Sequence, residues 1–312
     1  MQLIKKFLDT TKYKDYTIEI ASADASFRRY FRIRKNGQTL IVMDSSLEKN
    51  SLLAFVNITQ RLLDAGVDAP RIYHTDLDEG FLILEDLGHE DLLNKLKSSN
   101  FESLYKVAMD EIIKMQQADT NGLPLYDEAF LMQEMSLMNE WFLQKYIKDT
   151  EYDLKMINKT LSHIAKEVLA QPQGYFVHRD FHSRNIMFKD EKSLGIIDYQ
   201  DAMSGSVMYD LVSLLRDLYV RFEPKEIEKL VLYFKHKIGA KVSDEEFLRW
   251  FDFMGMQRHI KVLGIFARLS LRDAKDGYLK DLPLTMQYLL ESTAKYEQTR
   301  ALYSYLKTIK LK

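Results

Sequence analysis

The chain changes character at Gly88, and that change limits the folds open to it. Before it, short β-prone runs dominate, at 16–22, 27–34, 39–44, 71–74 and 81–84. Branched and aromatic side chains favour such runs because they fit a pleated, half-buried surface. Asn36-Gly37 marks a tight hairpin, since both residues tolerate a positive φ. One segment breaks the pattern. Apolar residues at 52, 53, 55, 56, 58, 62 and 63 recur with a helical period, and Gly66 ends the run. The predicted order is strand, strand, strand, helix, strand, strand. Beyond Gly88, helical periodicity covers 92–115, 128–147, 154–169, 209–222, 224–238, 244–271 and 284–311. Pro224 and Pro283 stand at helix starts, where a missing N–H costs nothing. The reading is an α+β chain: a β-rich domain over 1–87 and a mainly helical domain over 88–312.

Composition narrows the function classes. With 312 residues, 46% hydrophobic and 29% charged, the chain is an ordinary globular one with room for one to three structural units. A net charge of −2 supplies no pull toward nucleic acid or membrane, and neither partner is expected. The absence of Cys excludes disulfides, thiolate zinc sites and a cysteine nucleophile. It fits a reducing cytoplasm. The start, Met1 to Phe7, carries charge inside its apolar stretch, unlike a signal peptide. No run approaches the ~20 apolar residues that span a bilayer. A soluble, cytoplasmic monomer is expected.

The chemistry is written in Val177-His178-Arg179-Asp180-Phe181-His182-Ser183-Arg184-Asn185 and in the Gly195-Ile196-Ile197 run that delivers Asp198. A His-Arg-Asp-x-x-x-x-Asn loop sets a base and a magnesium ligand five residues apart, and a later Asp at a strand end supplies the second ligand. Phosphoryl transfer needs positioning and charge neutralisation more than covalent help. Magnesium keeps several waters, so one carboxylate and one amide oxygen suffice beside nucleotide phosphates. Asp180 is the candidate base, Asn185 and Asp198 the candidate metal ligands, and ATP with Mg2+ the expected cofactors. The alternative is a set of loop carboxylates that only cap turns. Upstream, Glu85-Asp86-Leu87-Gly88 extends the last strand as a connector. Backbone groups at Glu85 and Leu87 are candidates for an adenine edge, the alternative being a plain solvated linker.

With these residues in place, the chain resembles the aminoglycoside phosphotransferase-like branch of the protein-kinase-like fold. Within it, the resemblance is to the anomeric sugar kinases that phosphorylate N-acetylmuramate and N-acetylglucosamine for cell-wall recycling. The similar segments are 24–32, 81–88, 177–185, 197–202, 209–217 and 257–269. The resemblance implies a bilobal fold, with a small antiparallel sheet lobe carrying one helix and a large helical lobe. It implies that His178 supports the loop by hydrogen bonding and that Asp210 is a buried carboxylate bracing it. Asp201 is either an outer acceptor near the metal or a turn former.

Two departures from the protein-kinase pattern stand out. No Gly precedes Gly37, so small side chains at Ser22-Ala23-Asp24-Ala25-Ser26 hold the place of a glycine-rich phosphate loop, with Ser26 a nucleotide-binding candidate. The third strand, Leu40-Ile41-Val42-Met43, has no phosphate-gripping Lys. Charges in a cleft need compensation, and Arg28 or Arg29 is the candidate cation. The competing reading of the second strand, which carries both arginines, is a solvent-facing charged surface.

Acceptor residues are sought in the helical part. Glu134, Met138 and Trp141 share a helix face, where Trp141 could stack on a sugar or simply join the core. Gln257, Arg258 and Lys261 share another, with Arg268 and Arg272 further on. These cations suit an anionic sugar or else form a solvated face. Tyr278 lies in a loop that could close over the acceptor. The expected function is ATP-dependent phosphorylation of a sugar hydroxyl. Rival readings are an aminoglycoside, choline or other amino-alcohol kinase, and a non-catalytic nucleotide-binding regulator. Only residues 199–209 separate Asp198 from Asp210, too few for the regulated loop and peptide platform of a protein kinase.

Overall fold

In the computed structural model, which describes residues 1–22, 28–149 and 151–311, helix α1 (Gln2–Asp9) leads into strands β1 (Thr17–Ser22), β2 (Arg29–Lys35) and β3 (Gln38–Asp44). Helix α2 (Asn50–Asp64), strands β4 (Ile72–Asp76) and β5 (Phe81–Glu85) and the short α3 (Leu92–Lys95) follow. Next come α4 (Phe101–Met115), α5 (Glu128–Leu137), a π-helix (Met138–Ile147), α6 (Leu154–Leu169) and strands β6 (Tyr175–Val177), β7 (Ile186–Asp190), β8 (Ser193–Ile196) and β9 (Met203–Gly205). The chain ends with α7 (Tyr209–Leu215), α8 (Pro224–Lys237), α9 (Asp244–Asp273), a 3₁₀ turn (Asp276–Asp281), α10 (Leu282–Thr293) and α11 (Arg300–Leu306). Two compact units result: 1–95 with 184–202, and 96–183 with 203–312.

The smaller unit is built on an antiparallel sheet of order β1-β2-β3-β5-β4. Alternation along β2, β3 and β5 puts Phe31, Ile33, Leu40, Val42, Phe81 and Ile83 on one buried face. Helix α1 covers that face with Ile4, Phe7 and Leu8, spaced for one helical stripe, and Phe7 stacks on Phe81 at 4.6 Å. This helix is absent from the predicted order, which allows one helix before Gly88. Helix α2 buries Leu52, Phe55, Ile58 and Leu62. Phe55 stacks on Tyr199 at 5.2 Å, and Thr59 and Tyr199 share a 2.8 Å hydroxyl hydrogen bond. The β7–β8 hairpin joins this unit through Phe188 N–H to Glu90 O (2.8 Å) and Ile196 N–H to Asp68 O (2.8 Å). Gly195 lets β8 pass close to Leu87. A Cβ there would lie 2.8 Å from Leu87 Cδ1.

The larger unit is helical except for the short β6–β9 ladder. Its axis is the 30-residue α9, buried almost continuously from Phe251 to Ala267. Ser243 caps it by accepting the Glu246 N–H at 3.1 Å. Gly264 allows intimate contact with the preceding helical layer: a Cβ would sit 2.3 Å from the Leu137 carbonyl carbon. Three predicted helices are shorter than their periodicity. The 92–115 segment breaks at 96–100, the one starting at 209 stops at Leu215, and the last divides into α10 and α11. The 128–147 segment is helical throughout but changes from α to π winding at Met138. Among the described residues, no helix is long and apolar enough to cross a membrane.

Candidate active site

The β7–β8 hairpin positions the two metal-ligand candidates in the smaller unit. Ile186 pairs with Ile196, and Ile197 donates its N–H to Asn185 O at 3.2 Å. Residues 185 and 198 therefore leave the same end of the hairpin. The Asn185 Nδ2 to Asp198 Oδ2 distance is 3.3 Å. Asp198 holds φ +66°, a left-handed conformation costly for a residue with a Cβ. Gln200 Nε2 donates to Asp198 Oδ1 (3.1 Å) and to Asp201 Oδ2 (3.3 Å). This donor set fits a hard dication: a carboxylate oxygen lies beside an amide whose half-turn about χ2 presents Oδ1.

The same unit contains the nucleotide-binding candidates. Ser26 lies outside the described residues, as does the rest of 23–27. Arg28 is buried, with Nε 3.9 Å from Glu48 Oε2. Arg29 is half-exposed and donates to Asp44, the last residue of β3. The next arginine on the Arg28 face, Arg32, holds the connector: Nε and Nη2 grip Asp86 at 2.6 and 2.9 Å, and Nη2 also reaches Gly88 O at 2.7 Å. Glu85 donates its N–H to Arg71 O at 2.8 Å, and Leu87 is buried against Gly195.

In the larger unit, the loop after β6 is fixed through its backbone. The Asp210 carboxylate, buried on α7, accepts the His178 N–H at 2.8 Å and the Arg179 N–H at 3.1 Å. Burial pushes its pKa up to about 6, against the opposing pull of His178 and these two amides. Buried His178 accepts the Asp180 N–H at Nδ1, 3.3 Å away. A second carboxylate, Asp217, accepts Ser183 N–H at 2.8 Å and Tyr219 N–H at 2.9 Å. Arg179 holds φ +77° although it is not glycine. Its guanidinium explains how the strain is tolerated, since Nη2 is anchored on Glu134 Oε1 at 2.8 Å.

Glu134 lies at the centre of a buried network. It accepts from Arg179, from Gln257 Nε2 (3.0 Å) and from the Tyr126 hydroxyl, and it pairs with Lys261 Nζ at 3.2 Å. Lys261 also donates to Tyr209 Oη at 2.9 Å. Burial works against ionising Glu134, but the Lys261 and Arg179 charges outweigh it and hold the carboxyl below its ordinary range. Asp180 differs in being exposed to solvent. The protein crowded around its base raises its pKa, while Lys261, His182, Arg258 and His178 together bring it below the usual carboxylate value. Burial also keeps the His182 imidazole below its usual pKa.

The α9 candidates thus divide. Gln257, Arg258 and Lys261 are buried, so the solvated-face alternative does not describe them. Arg268 is half-buried, its charge acting on Asp273 further along the helix, and Arg272 is exposed beside Asp273. Trp141, half-buried on the π-helix, has the Lys145 ammonium 3.5 Å over its ring. Tyr278 stacks on Phe266 at 5.3 Å in the 3₁₀ turn.

The sequence pattern of the phosphotransferase enzyme family matches residues 17–251. The chain belongs to this family. Among its relatives, the N-acetylmuramate/N-acetylglucosamine kinase of Neisseria meningitidis serogroup B is 37% identical over 97% of this chain and 94% of its own. The Pseudomonas aeruginosa enzyme of the same name is 40% identical over 88% of this chain and 83% of its own. Among solved structures, the ADP-bound aminoglycoside phosphotransferase APH(2'')-Ib superposes with a TM-score of 0.65 at 16% identity, covering 93% of this chain and 98% of that one. An ethanolamine kinase of Plasmodium vivax gives 0.64 at 13%, over 92% and 85%. The fold is protein-kinase-like, and this family member is a phosphotransferase with a hydroxyl acceptor.

The sequence does not disclose two residues that hold the phosphotransferase loop, one within it and one beyond α7. Arg179 reads there only as a motif letter, yet it carries the ion pair to Glu134. Asp217 had one available signal: an acid seven residues after Asp210, returning to the same helical phase at the end of an apolar run.

Proposed function

We propose that this phosphotransferase is an ATP-dependent sugar kinase that phosphorylates the anomeric hydroxyl of N-acetylmuramate and N-acetylglucosamine. The relatives' shared name, at 37–40% identity over most of the chain, carries this reading. Asn185 and Asp198 would hold magnesium through oxygen atoms; the bound ion supplies charge neutralisation for the nucleotide phosphates. Arg28 or Arg29 is assigned the cationic role that a third-strand Lys fills elsewhere. The backbone at Glu85 and Leu87 is assigned the adenine edge. Trp141 and Arg268 remain candidate acceptor contacts, whereas Glu134 and Lys261 act on the acceptor through the network they build.

Asp180 is the proton acceptor. As the sugar oxygen bonds to the γ-phosphorus, the γ-phosphorus bond to the β–γ bridging oxygen breaks, and the hydroxyl proton passes to a carboxylate oxygen of Asp180. Its lowered pKa makes it ionised at neutral pH but a weak base. That suits an anomeric hydroxyl, which is more acidic than an ordinary alcohol. Lys261 and Arg258, bearing on Asp180, disfavour a cationic amino-alcohol acceptor. A non-catalytic regulator would have no need of Asp180, Asn185 and Asp198 together.

The test is phosphorus NMR of the product formed from ATP, magnesium and each sugar. A sugar 1-phosphate, its signal split by the anomeric proton, is the expected result; phosphate on another hydroxyl, or no product from either sugar, defeats the reading. Asp180→Asn should abolish turnover, a loss of at least ~10²-fold, while nucleotide affinity stays within a few-fold by calorimetry.

A further inference from the structure

Helix α9 presents three polar side chains from buried positions 257, 258 and 261, and two are already committed. Gln257 Nε2 is bound to Glu134 at 3.0 Å, and Lys261 is bound to Glu134 at 3.2 Å and Tyr209 at 2.9 Å. Arg258 is different. It is 2% exposed, its Nη1 is buried without a partner, and no hydrogen bond or ion pair joins it to another described residue. The other buried arginines have counter-charges: Arg216 donates to Ser292 and Asp252, and Arg28, whose Nε makes no hydrogen bond among the described residues, lies 3.9 Å from Glu48.

An unpaired buried guanidinium is costly, and arginine cannot escape the cost by losing its proton. Its planar fork of donors is satisfied best by two oxygens of one carboxylate. The Arg258 charge bears on Asp180 and on His182, two residues of the phosphotransferase loop. Its uncommitted donors therefore lie near the group assigned to take the acceptor's proton. Glu134, the neighbouring buried acid, is already engaged by Arg179, Lys261, Gln257 and Tyr126.

We propose that Arg258 binds a carboxylate on the acceptor, so that the site takes a sugar acid in preference to the neutral sugar. The proposal rests on the sugar-kinase reading above and deepens it. Of the two sugars in the relatives' name, N-acetylmuramate has a carboxylate and N-acetylglucosamine has none.

The experiment removes the charge from each side in turn. Calorimetry in the presence of magnesium ADP compares N-acetylmuramate with its methyl ester, on the wild type and on Arg258→Met and Arg258→Lys. The wild type should bind the free acid about 10- to 100-fold more tightly than the ester, the worth of a charge-assisted hydrogen bond. Arg258→Met should shrink that ratio to within about threefold, with Arg258→Lys in between. The ratio of kcat/KM for N-acetylmuramate over N-acetylglucosamine should fall at least about tenfold in parallel. Equal affinity of wild type for acid and ester, or a ratio unchanged in both variants, overturns the proposal. The ester arm needs no mutation, so misfolding of Arg258→Met leaves the test intact. Failure of the sugar-kinase reading looks different: carboxylate-dependent binding would persist without phosphorylation of either sugar.

Discussion

At the scale of single residues, the loop is governed by buried carboxylates that accept backbone amides. Asp210 must be ionised to accept the His178 and Arg179 N–H groups together. With its pKa pushed up to about 6 by burial, lowering the pH through that value adds a proton and loosens the loop. The kcat–pH profile at saturating substrates should show an acid limb near pH 6. Asp210→Asn should lower the neutral-pH plateau and remove the limb; a limb that survives the substitution belongs to another group. The stability effect has the opposite sign. The folded chain keeps a proton on Asp210 that the unfolded chain releases above about pH 4, so this residue opposes folding increasingly from about pH 4 to 6, by roughly 3 kcal/mol. The residue types and spacing of 178–185 and 198 were legible because phosphotransfer restricts them. The engagement of Glu134 was not, because its partners lie far away in sequence, 123 residues for Gln257; nor was the burial of Arg258, which depends on how distant helices pack around α9.

At the scale of elements, periodicity worked where one helix met one environment. The predicted 154–169 helix coincides with α6, and 244–271 falls two residues short of α9. It failed where tertiary hydrogen bonds overrode it. Helix α7 stops at Leu215 although apolar residues continue, and just beyond it the Asp217 carboxylate takes the Tyr219 and Ser183 amides. Helix α1 was missed because eight residues give only one short stripe. Gly264 was legible as a glycine but not as a contact. Gly264→Ala would force its Cβ into the Leu137 backbone and should cost about 1–3 kcal/mol, or more if the helices cannot shift. Urea unfolding measures this, and a midpoint equal to wild type would contradict the close packing.

At the scale of the whole molecule, the α+β composition and the order of its parts followed from the change at Gly88. The hairpin at 186–196 did not, since it lies amid helices in sequence yet belongs to the compact unit of the large sheet. Ligand binding reports on the entire folded chain. A nucleotide at 100 times its dissociation constant adds about 2.7 kcal/mol to the unfolding free energy. The thermal midpoint should rise with ADP and rise further with ADP plus magnesium. Asn185→Ala and Asp198→Ala should keep the first increment and lose the second; an undiminished second increment removes both residues from metal binding.

The π-helix between Met138 and Ile147 has a bearing on the chain's history. Each of its hydrogen-bonded rings spans one residue more than an α-turn. Shortening this stretch by one residue leaves ordinary winding as a ready conformation, so a single-residue deletion here should cost less stability than one in α6 or α9. Sister sequences should differ in length at this segment while keeping Glu134 on one side and, on the other, Asp153, which caps α6 by accepting the Met156 N–H.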